Sequence, residues 1–96
     1  MVIVLGSAII RPGSMAEALK ISLEHVHRSR TEPGCHSHSV HQDCENADRL
    51  VFVEEWKDQA SLQQHFNVPE SGLFVKALTA LTTQPPSMVI YECTNA

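Results

Sequence analysis

No basic stripe runs through these 96 residues: seven Lys and Arg are scattered among eleven Asp and Glu, giving a formal net charge of −4. A chain without clustered cations does not track a phosphate backbone, so nucleic acid is not an expected ligand. Long apolar runs are missing too. The N-terminal "MVIVLGSAII" is too short to cross a bilayer and lacks the basic flank and cleavage site of a secretory leader. It reads as a strand, in a protein expected in the cytoplasm and away from membranes. The three cysteines are odd in number and include no C-x-x-C pair, which fits a reducing compartment better than a disulfide scaffold. With no repeat, low-complexity tract or linker, residues 1–96 are expected to form one domain. At 43% hydrophobic and 19% charged, the chain is globular rather than disordered.

What is present follows a regular order. Val2 to Ile10 is rich in Val and Ile and apolar in both alternating phases, which predicts a strand covered on both faces. Arg11-Pro12-Gly13 turns the chain. Ser14 and Glu17 have capping-box spacing, and Met15, Ala18, Leu19, Ser22, Leu23 and Val26 form the stripe of a helix closed by Arg28 and Arg30. Thr31 to Gly34 predicts a turn, Cys35 to Asp43 a strand, Cys44 to Asp48 a hairpin turn and Arg49 to Trp56 the partner strand. Asp58 can cap a short helix through Phe66. A further helix places Leu73, Phe74, Ala77, Leu78 and Leu81 on one side until Gln84-Pro85-Pro86, and Ser87 to Cys93 is the last strand. The order β-α-β-β-α-β predicts an α+β, ferredoxin-like fold, a four-stranded antiparallel sheet with its helices on one face. The first and third strands then keep an uncovered apolar face, which predicts a homodimer through the sheet.

The densest chemistry lies in "GCHSHSVHQDC", Gly34 to Cys44. A disulfide between its cysteines fails on length, because an extended segment holds Cys35 and Cys44 roughly 30 Å apart, far beyond a disulfide's reach. A metal site is only partly supplied. His36 and His38 share one strand face, but two ligands are not a site; His41 has the opposite parity unless a bulge resets the phase, and a third ligand would have to come from Glu54 or His65, with no H-E-x-x-H or Cys/His spacing behind it. The partner strand suggests another use. Leu50, Phe52, Glu54 and Trp56 share a parity, and a carboxylate on that apolar face needs a partner or a wet cavity. If His36 and His38 face the same way, a His, Glu and Trp group lines the space beneath the helices, with His65 approaching from above. An imidazole oriented by a carboxylate is a general base, and Trp56 and Phe74 are flat walls for an aromatic ligand. The plainer alternative makes Glu54 a structural partner and Trp56 core.

"TEPGCHSHSV", "RLVFVEEWKDQASLQQHF" and "LFVKALTAL" together resemble the antibiotic biosynthesis monooxygenase (ABM) superfamily of dimeric α/β-barrel proteins. The resemblance spans essentially the whole chain and is most specific in the Glu32 to Cys35 turn and in the pattern Glu54, Trp56, Asp58, His65. It implies a ferredoxin-like dimer and one of several activities: cofactor-free oxygenation of quinols or polyketide anthrones, haem degradation, or isomerisation of a phosphorylated autoinducer. Haem-degrading members carry an Asn in the first strand and a His ligand in the last helix, where this chain has Gly6, Ser7 and Leu78. Many quinol-oxidising relatives have Tyr at the His38 position and a Pro-His pair in place of Pro69-Glu70. The expectation is a cofactor-independent monooxygenase that oxidises a quinol-like or polycyclic hydroxylated aromatic with molecular oxygen and needs no metal. His38 is the expected base, Glu54 orients a histidine or binds a hydroxyl, and His65 shuttles protons. His36, Trp56, Phe66 and Phe74 are expected to hold the substrate. The alternatives are an isomerase or other proton-transfer enzyme of the superfamily, and a non-catalytic dimeric module for a small ligand.

Overall fold

Seven elements follow one another in the computed structural model, which describes residues 1–94: β1 (Val2–Ile9), α1 (Met15–Ser29), β2 (Cys35–Gln42), β3 (Arg49–Trp56), α2 (Gln59–Asn67), α3 (Pro69–Thr79) and β4 (Ser87–Glu92). The strands form one antiparallel sheet in the order β2-β3-β1-β4, the expected ferredoxin-like α+β arrangement. Period-two burial shows why the strands lie as they do. Val2, Val4 and Ala8 of β1 and Leu50, Phe52, Glu54 and Trp56 of β3 all turn toward the helices and are buried. No helix among the described residues is long and apolar enough to cross a membrane.

Local chemistry sets the connections. Gly34 sits at φ +82, the left-handed region glycine tolerates, and a Cβ there would run into the Ser61 side chain of α2. The Asp58 carboxylate caps α2 by accepting from the Ser61 backbone N–H at 2.8 Å. Ser14, by contrast, makes no side-chain capping bond at α1. Its φ of −107 and ψ of 4 lie outside the extended region from which a serine reaches the free N–H groups of the first turn.

The helices depart from the expected apolar stripes. In α1 the buried residues are Ala18, Ser22, His25, Val26 and Ser29, while Leu23 is 44% exposed. The small residues let α1 lie close to the sheet and turn a histidine inward. In α3, Ser71 and Leu78 are buried with Phe74 between them, whereas Leu73 is 66% exposed and Ala77 is also exposed. The helix ends at Thr79, so Leu81 packs from the following loop.

Two apolar clusters fill the space beneath the helices. Ala8, Ile10, Ala18, Val26, Leu50, Phe52 and Leu78 make one, and Val2, Val4, Trp56 and Leu62 the other. Glu54 falls on β3 between Phe52 of the first and Trp56 of the second. Among the described residues no helix lies over the opposite sheet face, so within one chain β1 is covered on one side only and Leu5 is exposed.

Candidate active site

Each polar side chain beneath the helices is placed by a different element. Glu54 arrives from β3, His38 from the neighbouring strand directly opposite it, His65 from α2 and His25 from α1. All four are buried. They close the inner end of a cavity of about 210 Å³ whose walls include Phe52, Phe74 and Leu78 and whose mouth carries the exposed Phe66, Val75 and Met88. The cavity is polar at its floor and mainly apolar toward solvent, where the Ser7 and Ser87 hydroxyls pair with each other at 2.9 Å.

Hydrogen bonding assigns a role to each ring nitrogen. Ser29 Oγ donates to the Val26 carbonyl at 3.0 Å, which spends its only proton. It therefore accepts from His38 Nδ1–H, and neutral His38 keeps a lone pair on Nε2, 3.8 Å from Glu54 Oε2. His65 donates Nδ1–H to Glu32 Oε1 at 2.7 Å and directs Nε2 at Glu54 Oε1, 3.7 Å away. The Trp56 indole N–H donates to the same Glu54 oxygen at 3.0 Å. His25 is wired the other way: Arg28 Nη2 lies 2.7 Å from its Nδ1, and a guanidinium only donates. Neutral His25 therefore carries its proton on Nε2.

Burial dominates the electrostatics. Desolvation, joined by repulsion from His65, Arg30 and Arg28, lowers His38 from 6.5 to about 3. Desolvation likewise takes His25 to about 3, with repulsion from His38, His65 and Arg28 adding to it. Both rings are neutral at physiological pH. Burial raises the Glu54 carboxyl, and this outweighs the opposing Trp56 hydrogen bond and the attraction of His65.

His25, His38 and His65 each bring one nitrogen within 4.8 Å of the others, a spacing that invites comparison with a metal centre. The donor set argues against all three as ligands. A ligating histidine normally donates its second N–H to an acceptor, whereas His25 Nδ1 faces a guanidinium and its other nitrogen is protonated. His38, His65 and Glu54 remain, with 3.7 and 3.8 Å between each ring and the carboxylate. Ligands at about 2.0 Å in a tetrahedral zinc site stand roughly 3.3 Å apart, so this set is too open without contraction.

The structure thus brings His38, Glu54, His65, Phe66 and Phe74 to one cavity. Two expected substrate-binding residues lie elsewhere. The β2 register shifts between Cys35 and Ser37, so one extra residue, His36, bulges out and is exposed, and Cys35 takes the inward place expected of it. Trp56 is wholly buried in the core, where it acts on the site through its bond to Glu54. His41 is exposed on the open face, bonded to Ser39 Oγ. Two site groups went unforeseen, His25 and Ser29. Each follows a stripe residue of α1 by three positions, His25 after Ser22 and Ser29 after Val26, which is the signal the sequence offers.

A ferredoxin-like domain with a buried histidine and carboxylate floor beneath an aromatic-walled cavity has the form of a small-ligand pocket. The family model for antibiotic biosynthesis monooxygenase matches residues 1–77, and the chain belongs to that family. An uncharacterised protein of Synechocystis sp. is 31% identical over 91 residues, 95% of this chain, which spans 62% of that relative's length. A crystal structure described as an antibiotic biosynthesis monooxygenase is 26% identical, covers 99% of this chain and 100% of its own, and superposes with a TM-score of 0.91. A conserved protein from Methanosarcina mazei Go1 superposes at 0.92 with 25% identity, over 97% of this chain and 92% of its own. Family membership supports monooxygenase-like chemistry in general terms.

Proposed function

We propose that the chain is a cofactor-independent monooxygenase acting on a quinol-like or polycyclic hydroxylated aromatic. The observation that carries this is the unprotonated His38 Nε2, aimed at the inner end of an aromatic-walled cavity beside a carboxylate. The ring enters past Phe66 and lies against Phe74, and one hydroxyl meets His38. Burial weakens imidazole as a base in the empty cavity, but the phenolate that forms beside it supplies the missing counter-charge. The Glu54 carboxyl faces the ring that takes the proton, and Glu32 fixes the neighbouring His65 ring.

The electron-rich anion then reduces oxygen directly. For a hydroquinone the balance closes without an outside reductant: hydroquinone and dioxygen give a hydroxylated quinone and water, one oxygen atom entering the ring. The protein's tasks are deprotonation, positioning and exclusion of water. The three free thiols, Cys35, Cys44 and Cys93, suit the reducing cytoplasm in which this reading places the protein.

Oxygen uptake by chelator-treated protein with a panel of hydroquinones and hydroxylated polycyclic aromatics tests the reading. Uptake is expected, and His38→Gln lowers kcat about 100-fold or more, the usual worth of a positioned base. If no member of the panel is oxidised, the monooxygenase reading fails. Tight binding without uptake then identifies a ligand-binding module.

A further inference from the structure

We infer that the cavity selects aromatics bearing two oxygens on neighbouring ring carbons, as in a catechol or an ortho-hydroxy carbonyl, and that His25 is the residue that reads the second oxygen. The inference rests on the proposed reading that a hydroxylated aromatic occupies the cavity, and it names which one.

His25 lies on α1 and is 6% exposed at the cavity floor. Two contacts fix its ring. Phe74 stacks on its face at 4.0 Å with 6° between the planes, and Arg28 holds Nδ1, so its remaining nitrogen is a donor. His38 meets it edge-on, with ring centroids 5.3 Å apart and an interplanar angle of 86°. Ser29 makes the remaining nitrogen of His38 an acceptor. These two rings therefore present one donor and one acceptor, and a nitrogen of each lies within 4.8 Å of a nitrogen of the other.

Two rings with centroids 5.3 Å apart are close enough to meet a single edge of an aromatic ring. Two hydrogen bonds of about 2.8 Å reach a hydroxyl and an oxygen on adjacent carbons, the hydroxyl donating to His38 and its neighbour accepting from His25. Oxygens across a ring point in opposite directions. When one meets the floor, the other points to the open mouth near Ser7 and Ser87, so a para pair makes one hydrogen bond to the two rings where an ortho pair makes two. Once His38 has taken the proton, His25 N–H also lies beside the new anion, so the same contact that selects the substrate stabilises its charged form.

Anaerobic calorimetric titration of the full chain with 4-tert-butylcatechol and tert-butylhydroquinone, which share composition and bulk, tests the inference. The catechol is expected to bind at least tenfold more tightly. His25→Phe keeps a ring to stack on Phe74 but removes the N–H, and it should cut the preference to less than twofold by weakening the catechol alone. Equal or tighter hydroquinone binding by the native chain overturns the inference, as does a preference that survives in folded His25→Phe. The native comparison is decisive even if that variant does not fold. Admitting oxygen afterwards separates the two readings, because a catechol preference without oxygen uptake keeps the selectivity and removes the reaction.

Discussion

Ser29 decides which nitrogen of His38 faces the cavity, and it does so from the last turn of α1 without touching the cavity itself. Its hydroxyl is committed to the Val26 carbonyl, so only a protonated Nδ1 satisfies both groups. Ser29→Ala leaves that buried N–H without an acceptor and lets the tautomer with the proton on Nε2 compete. The expected result is a loss of about 1–3 kcal/mol in unfolding free energy. Oxygen-uptake kcat should fall roughly tenfold or more while KM changes little, as expected when a base is misoriented. An unchanged kcat alongside the stability loss would make Ser29 a packing residue only. Strand parity and helix spacing made His38, Glu54 and His65 legible from sequence, since each sits on the apolar phase of its element. His25 was not legible in that way. Apolar periodicity favours Leu23 in α1, yet Leu23 is exposed and His25 buried, because His25 gains the Phe74 face and the Arg28 donor, partners that periodicity does not register.

The element most consequential for the site is β2, and it carries the feature hardest to anticipate. Alternation along "CHSHSV" pairs His36 with His38 on one face, but the extra residue between Cys35 and Ser37 inverts the phase upstream of the bulge. No side-chain pattern in this stretch announces that residue. The strands as such were readable, as was the Gly34 turn, because period two and positive φ leave direct marks in residue type. The same periodicity exposes an uncovered row on the open sheet face, where Val89, Leu5 and Val53 lie side by side across three strands. Leu5 and Val89 are exposed in the single chain. We propose that a second copy covers this face as a homodimer. Sedimentation equilibrium is expected to give a dimer for the native chain. Leu5→Glu, which places a charge in the middle of the row, should give a monomer, whereas Leu23→Glu on the exposed side of α1 should leave the dimer intact. A monomeric native chain at tens of micromolar would remove the dimer from the account.

At the scale of the whole molecule, the buried histidines tie the function of the floor to the stability of the fold. Unfolded, His25 and His38 take up protons near 6.5, whereas in the folded chain burial and their cationic neighbours hold both to about 3. Between those values the unfolded chain binds more protons, so stability is complete above pH 6.5 and drains away as the pH falls toward 3. Each histidine can contribute a slope of up to about 1.4 kcal/mol per pH unit in that window. Glu54 acts with the opposite sign. Its raised value lets the folded chain hold a proton above 4.5, which returns some stability as the pH drops through that range. Asp43 and Asp58, both lowered by hydrogen bonds, add their losses only below 3.8. Between pH 6.5 and 5 the two histidines therefore dominate, since one opposing carboxyl cannot cancel both. Urea unfolding at pH 7, 6 and 5 is expected to show a midpoint that falls with each step. A His25→Phe, His38→Gln double variant, having no imidazole at either position, should show a flatter decline even if it begins less stable. A native midpoint constant from pH 7 to 5 would mean that the floor opens to water and charges freely, and a cavity that wet could not hold His38 unprotonated against an aromatic hydroxyl as the proposed chemistry requires.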